Sequence, residues 1–278
     1  VRVTLSSTAW VADLVTRMRA GSPSAALLNQ QAGYASRLPS SVSPDAALRM
    51  VSHLRMTETL RQESKALLPA FRKMLETRLN AMPALTQPQR EAGQEAITAY
   101  LGLLEKWFAQ QNIESALELR LHDESTMDLA SWAPFPDGVT SLGTILNIVE
   151  KMPLLAGHAV PTVSRNVMQH RDIALHRIDL PPGQAPGLPQ QIFLAAAGPY
   201  LSLYVGTSPE PLKALLDRLQ TASSQAPTQT HALWRLELFL APFLKLGAQT
   251  GQLQDPLGKA LAARLQQGPR EPLLLELL

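Results

Sequence analysis

The sequence predicts an α+β fold: a mixed or antiparallel sheet with helices packed on one face, plus an inserted helical hairpin. Three observations predict this class. Several short segments alternate apolar and polar residues with the two-residue period of strands. Longer segments place apolar residues three and four positions apart, as amphipathic helices do. Residues 44–112 hold two long helical patterns in succession, which is typical of a helical hairpin.

The strand patterns recur along the whole chain. In SALELRL, residues 115–121, three leucines share one face, while Glu118 and Arg120 lie on the other. Gly198 and Pro199 stand between two apolar runs and predict a hairpin turn. The predicted strands are residues 1–5, 115–122, 126–132, 171–180, 192–196, 200–205, 234–240 and 271–278.

The helix patterns begin at capping residues. Ser43 is expected to cap a helix over residues 44–80, and Pro69 should kink or split it because proline removes a backbone hydrogen bond. Thr86 and Gln89 form a capping box for the second helix of the hairpin. The other predicted helices cover residues 8–19, 23–31 and 142–152, and a last one begins after Ser208.

Two segments of the chain align without gaps. VRVTLSSTAWV (residues 1–11) and WRLELFLAPFL (residues 234–244) each lead into helical sequence, and a leucine-rich strand follows later. We therefore expect an internal duplication in which Trp10 and Phe243 anchor matching core positions. The predicted organisation is a main module, residues 1–230, followed by the start of a second, possibly truncated copy, residues 231–278. Within the main module the hairpin covers residues 44–112 and the strand-rich part residues 115–220.

The composition excludes several classes of protein. The chain has no cysteine, so it has neither disulfides nor thiolate chemistry nor cysteine-bound metals. The 25 basic and 23 acidic residues are scattered rather than grouped into the stripe that nucleic-acid binding requires. The most hydrophobic region, residues 233–246, is interrupted by three charged residues, so no membrane span is expected. The lack of cysteine and of an initial Met favours an exported, periplasmic mature chain.

No histidine arrangement has the spacing of a metal site. His170 and His176 would face the same way on one regular strand, about 20 Å apart, which is too far to share a metal. His122 belongs to a turn with two acids, where solvated side chains are the expected state. The triplet at residues 170–172 has the letters of the kinase catalytic loop, but Arg177 replaces the required Asn. We predict no metal and no cofactor.

Nothing local marks a catalytic site either. None of the glycine-rich, nucleophile-elbow or zinc-protease motifs occurs in the chain. Glu118 and Glu237 each lie between leucines in a predicted strand and could be buried carboxylates. Because Arg120 and Arg235 share their faces, we expect solvent-side pairs instead. We therefore assign no catalytic residue.

Two phrases carry a family resemblance. DIALHRIDLP (residues 172–181) and PYLSLYVGTSPEPLKALLDRL (residues 199–219) resemble a family of uncharacterised exported bacterial proteins. The matching residues are Leu201, Tyr204, Gly206, Leu212, Lys213 and Leu216. The resemblance covers about residues 115–220. It implies export and an α+β module that occurs in tandem, and it implies no activity.

Three functional interpretations follow. The first is a non-enzymatic exported binding or structural protein, whose partner is another protein or neighbouring modules of a longer chain. The second is a hydrolase with a site assembled from sequence-distant residues. The third is a carrier of apolar ligands between the helical hairpin and the sheet. A deep pocket lined by Leu, Met and Ala would favour the carrier, and polar residues converging in one pocket would favour the enzyme.

Overall fold

The computed structural model describes residues 2–5, 10–13, 30–31, 34–43, 45–83, 85–122, 127–151, 161–181, 189–230, 234–239, 243 and 273–277. The strands are β1 (Arg2–Leu5), β2 (Trp10–Asp13), β3 (Tyr34–Ser36), β4 (Leu48–Arg55), β5 (Asn112–Leu121), β6 (Met127–Pro134), β7 (Thr162–His170), β8 (Ile173–Asp179), β9 (Gln191–Ala197), β10 (Tyr200–Val205), β11 (Thr228–Thr230), β12 (Trp234–Leu238) and β13 (Leu273–Leu277). The α-helices are α1 (Glu58–Asn80), α2 (Gln87–Phe108), α3 (Gly138–Lys151) and α4 (Glu210–Ser224), and Leu38–Ser41 is a 3-10 helix.

One open antiparallel sheet organises the molecule. Eight strands follow the order β12-β4-β5-β6-β10-β9-β8-β7, and β13 pairs with β12 at the edge. Two small sheets, β1 with β2 and β3 with β11, are also antiparallel. The structure thereby confirms the predicted α+β class and the antiparallel form of the sheet. The C-terminal strands β12 and β13 belong to the same sheet as β4.

Strand register assigns every side chain of the sheet to one of two faces. Trp132 is paired with Ala116 and Ser202, so these residues share a face. Tyr204 and Phe193 are on the same face, which helix α4 covers; we call it the α4 face. The opposite face is the α3 face, where Leu194, Ile178, Leu201 and Leu203 pack against helix α3. The helices thus cover both faces of the sheet rather than one.

Helix α4 forms the centre of the larger core. Its apolar stripe packs against buried side chains of five strands. The buried residues of the helix are Leu212, Leu215, Leu216, Leu219 and Ala222. At about 1.5–3 kcal/mol for each fully buried leucine, this contact is a principal source of stability.

Tyr204 and Gly206, two residues of the family resemblance, are linked by a steric requirement. The Tyr204 ring is 2% exposed, and its hydroxyl donates a hydrogen bond to Asp128 at 2.5 Å. A Cβ atom added to Gly206 would lie 2.3 Å from the Tyr204 ring. A residue without a side chain is therefore required at Gly206 so that Tyr204 can pack under α4.

Helices α1 and α2 form the predicted hairpin, but its first helix begins later than expected. Residues 48–55 are strand β4, which lies between β12 and β5 with ladder bonds on both sides. The predicted helical start at Ser43 is therefore wrong. Helix α1 begins after Thr57, whose side-chain oxygen accepts the Leu60 N–H, and it is one continuous helix despite Pro69.

Most of the later predictions are confirmed with small shifts of boundary. The Gln89 side-chain oxygen accepts the Thr86 N–H at 2.7 Å, as the capping box predicts. Strands β5, β6, β8, β9, β10, β12 and β13 and helices α3 and α4 fall on predicted segments. Strand β7 was not predicted, because six of its nine residues are polar or charged and its sequence shows no apolar alternation.

The predicted N-terminal strand is confirmed as β1, but the helix predicted after it is wrong where it can be compared. Residues 10–13 form strand β2 instead of part of a helix, because they pair with β1. Trp10 therefore lies in a strand, whereas Phe243 is helical, so the two expected anchors do not occupy equivalent local structures. Residues 14–20, most of the predicted helix at 23–31, and the helix expected after residue 244 lie outside the described residues.

Candidate functional site

An apolar groove lies between the helical hairpin and the rest of the fold. Its volume is about 810 Å³, which is within the range of pockets for drug-sized ligands. Helices α1 and α2, helix α3 and the end of β6 supply its walls. The lining residues are Leu75, Arg78, Leu79, Met82, Gly93, Ala96, Ile97, Tyr100, Leu103, Leu104, Trp107, Ala133, Phe135, Ile145, Ile148 and Val149.

The sequence of the hairpin explains why a groove remains open. Of the 23 residues of α1, only Leu79 is buried, so this helix packs little against the core. On α2 the small residues Gly93 and Ala96 face the groove and leave space between the helices. Met82 and Tyr100 border this space and are 45% and 41% exposed. Apolar side chains here remain partly in contact with water instead of closing on one another.

Helix α2 is held against helix α3 by ion pairs at both ends. Lys106 of α2 lies 3.5 Å from Asp137, which precedes α3. Lys151 at the end of α3 contacts Glu95 of α2. These exposed pairs add little stability each, but they fix the antiparallel alignment of the two helices. The α2–α3 wall of the groove is therefore preformed.

Helix α1 is attached to α2 near the end of the groove. The Arg90 guanidinium donates to the carbonyl oxygens of Asn80 and Met82 at 3.2 and 3.0 Å. It thereby satisfies carbonyl groups that a helix C-terminus leaves without partners. The Phe71 and Tyr100 rings, 6.3 Å apart, connect the two helices further along.

Aromatic rings close the end of the groove nearest the sheet. The Trp107 and Phe135 rings are stacked, with centroids 6.3 Å apart. The indole Nε1 of Trp107 is buried and has no hydrogen-bond partner among the described residues. A buried N–H without an acceptor costs free energy, so this donor is available to a polar atom of a ligand.

The described lining of the groove is poor in groups for catalysis. Among these residues Arg78 is the one charged side chain, and none is a carboxylate, histidine or serine. Proton transfer and nucleophilic attack most often use such groups near the reacting atoms. The groove offers a large apolar surface, one cation, the Tyr100 hydroxyl and the Trp107 indole donor.

Polar groups do converge on the α4 face, where they are buried under α4 and the segment before β4. Glu118 is 2% exposed and accepts hydrogen bonds from Arg120, Arg218 and the Ser43 N–H at 2.8–2.9 Å. Burial lowers the pKa of the Arg218 guanidinium, and the Glu118 charge opposes this shift. The solvent-side position predicted for Glu118 is therefore wrong. Helix α4 covers a strand face that alternation alone predicts to be exposed.

Glu237 pairs with Arg235 as the sequence predicts, but it is not on the solvent side. Its carboxylate lies 2.8 Å from Arg235 on the same strand and 3.0 Å from Arg49 on β4. The side chain is mostly buried, at 15% exposure. The pair with Arg235 is confirmed, and Arg49 extends it across the sheet.

A second polar cluster surrounds Asp128. Its Oδ2 atom accepts from the Tyr204 hydroxyl and lies 2.6 Å from the Nε2 atom of His122. Burial together with the Asp128 contact raises the pKa of Tyr204. The neighbouring residues 123–126, which include the two acids of the predicted turn, lie outside the described residues. This cluster joins β6 to β10 and the end of β5.

Ser36 and Glu114 form the closest serine–carboxylate contact in the described region. The Ser36 hydroxyl donates to Glu114 at 2.6 Å and accepts the Leu38 N–H at 3.1 Å. Ser36 is 2% exposed, and burial raises the pKa of Glu114 to about 7. Ser36 is enclosed, Glu114 is partly buried, and His53, the cross-strand neighbour of Glu114, is buried. The contact fastens β3 to the sheet and presents no accessible nucleophile.

The histidine pair considered from the sequence is split between two strands. His170 ends β7 and His176 lies in β8, and the tight turn between the two strands includes Arg171 at φ 53°. One regular strand therefore does not hold both histidines, and the condition for a shared direction is not met. His170 lies 2.8 Å from Asp217 of α4, so the kinase-like triplet fastens a hairpin turn to that helix. Within the described ranges, no three metal-ligating side chains come together.

The comparisons with known proteins give no further guide: no family model, curated protein or solved structure matches the chain. Among the described helices, none is both long and apolar enough to cross a membrane. The groove is therefore the candidate functional site.

Proposed function

We propose that this protein is a non-enzymatic binding protein that carries an apolar small molecule in the groove between its helical hairpin, α3 and β6. The observation that supports this most strongly is the lining, which is apolar or aromatic at fifteen of sixteen residues. Desolvating such walls favours an apolar ligand by roughly 25 cal/mol for each Å² of apolar surface removed from water.

The size of the groove supports a small molecule. A volume of about 810 Å³ fits the 300–1,000 Å³ of typical ligand sites. The wall formed by α2, α3 and β6 is fixed before binding, which limits the ordering cost of association. The carboxylates of Glu118 and Asp128 elsewhere in the fold are already paired with neighbouring side chains, so they do not support the hydrolase interpretation.

Binding of the neutral apolar dye Nile red to the full chain tests this proposal. We expect saturable binding with one site per chain and an increase in dye fluorescence. Ala96→Phe should weaken binding at least about tenfold, since Ala96 is buried and lines the groove. Ala133→Leu, which narrows the groove from the β6 side, should weaken it independently.

Gly102→Leu is the matched control on the same helix. A Cβ atom at Gly102 has no neighbour within 4 Å, and this residue does not line the groove. The control should bind Nile red like the unmodified chain. Unchanged binding by both folded groove variants would overturn the proposal.

Export to the periplasm is a separate part of the proposal. Its support is the absence of cysteine and the resemblance of residues 199–219 to exported bacterial proteins. Fractionation of bacterial cells that express the native gene with a C-terminal tag tests it. Recovery of the tagged chain with the periplasmic fraction is expected, and retention in the cytoplasm would contradict export.

A further inference from the structure

We infer that the ligand of the groove is a single-chain amphiphile with a terminal carboxylate, that is, a long-chain fatty acid whose headgroup pairs with Arg78. This inference rests on the proposed function and specifies its ligand class. The charge at one end of the groove, its length and the aromatic lining at its other end support this ligand class.

The charge of Arg78 favours a carboxylate headgroup. Arg78 lines the groove in the last turn of α1, and its side chain is exposed. Within the described part of the chain, no carboxylate lies within ion-pair distance of Arg78. A guanidinium binds a carboxylate through two parallel hydrogen bonds, so Arg78 suits this headgroup in geometry as well as charge.

Two other charged residues near the groove already have partners, so the headgroup contact is assigned to Arg78. Arg90, on the other side of the same helix junction, already donates to three carbonyl oxygens of residues 79–82. Glu95 contacts Lys151 and does not line the groove. Since no carboxylate is among the described lining residues, an anionic headgroup meets no like charge from them, whereas a cationic headgroup would face Arg78.

The length of the groove suits a single acyl chain. Along α2 the groove extends from Gly93, near Arg78, to Trp107, near the sheet. At a rise of 1.5 Å per residue this part of the helix is about 21 Å long. One leaflet of a bilayer core, which one acyl chain spans, is roughly 15 Å thick. A single extended acyl chain therefore fits between Arg78 and the aromatic end.

The two ends of the groove differ in polarity. The stacked rings of Trp107 and Phe135 lie at the end opposite Arg78. The groove thus has a charged end open to water and an aromatic end. This polarity matches a ligand with one ionised end and a long apolar body better than a compact apolar molecule.

Three probes with the same chain length and different headgroups test the inference: dodecanoate, dodecanol and dodecyltrimethylammonium. Binding to the full chain is measured by calorimetry below the aggregation concentration of each probe. We expect dodecanoate to bind about tenfold tighter than dodecanol, and the cation to bind weakest. Arg78→Gln should remove the tenfold advantage of dodecanoate and leave dodecanol binding unchanged.

Arg72→Gln is the matched control, because Arg72 lies on the same helix but does not line the groove. It should leave the affinities of all three probes unchanged. Equal binding of dodecanoate and dodecanol, or an equal loss of both in Arg78→Gln, would overturn the headgroup assignment while the proposed function stands. If none of the three probes binds, the proposed function fails and the ligand class fails with it.

Discussion

Helix α4 has 15 residues and buries five of them, whereas helix α1 has 23 residues and buries only Leu79. Leu216 of α4 is 1% exposed, and Leu67 of α1 is 67% exposed. Helix α4 lies directly on the sheet and packs against aromatic and aliphatic side chains. Helix α1 packs against α2 instead, and its apolar residues face the groove or water.

The comparison separates two uses of apolar side chains. Under α4 they are closely packed and surround the paired carboxylates of Glu118 and Asp128. Beside α1 they remain partly hydrated, so water can be displaced by a ligand. The closely packed core and the proposed binding groove thus lie on opposite faces of one sheet, and three predictions test this division.

The largest effect is expected from the buried carboxylate on the α4 face. Glu118→Ala would leave Arg218 and Arg120 without their shared anion in a buried environment. Loss of one partner of such a pair costs about 3–5 kcal/mol. Urea denaturation should report a decrease of this size in the free energy of unfolding.

Glu58→Ala is the control for this change, because the Glu58–Arg61 pair is exposed on α1. An exposed pair contributes about 0–1 kcal/mol. If the two substitutions cost the same, the Glu118 cluster does not stabilise the core as argued.

The next largest effect concerns the two leucines of the comparison. Leu216→Ala should destabilise the protein by about 2–5 kcal/mol, since it leaves a cavity under α4. Leu67→Ala should change the free energy of unfolding by less than about 0.5 kcal/mol, because this side chain is mostly exposed. Similar losses in thermal or urea unfolding would show that α1 is packed as closely as α4.

The smallest effect is a pH dependence on the α4 face. Burial raises the pKa of Glu114 from 4.5 to about 7. Between these values the unfolded chain has released this proton while the folded chain keeps it. The contribution of Glu114 to stability is therefore complete below pH 4.5 and decreases as the pH rises to about 7. Remaining solvent contact limits its size.

Glu114→Gln isolates this contribution, because glutamine keeps an acceptor for the Ser36 hydroxyl and does not titrate. The difference in free energy of unfolding between the variant and the unmodified chain should grow in favour of the variant from pH 5 to pH 8. A constant difference across this range would mean that the Glu114 carboxyl titrates at its ordinary pKa.

The strands with strict alternation and the helices with strong apolar stripes were predictable from the sequence. β5 and α4 are examples, because each carries its leucines on one face. β4 was mistaken for a helix because Leu48, Val51 and Leu54 have helical spacing. In the strand, Val51 lies on the α4 face and the two leucines on the α3 face. Apolar residues on both faces fit either period, and pairing with β5 and β12 decides between them.

The candidate site was predictable only as a region. A carrier site between hairpin and sheet was one of three interpretations, but no pattern distinguished its lining residues from core residues. Gly93 and Ala96 are ordinary helix residues in the sequence, and they become groove residues because α2 aligns with α3. The burial of Glu118 was equally hidden, since it depends on Arg218 of α4, one hundred positions later.

The α+β class, the antiparallel hairpins and the absence of thiol chemistry follow from local periodicity, turn residues and composition. Which face of each strand α4 and α3 cover, and which carboxylates are buried, depends on tertiary packing. Tertiary packing also places α1 against α2 rather than against the core, which leaves a groove. These features depend on how distant elements align, and the side-chain pattern of one element leaves that alignment open.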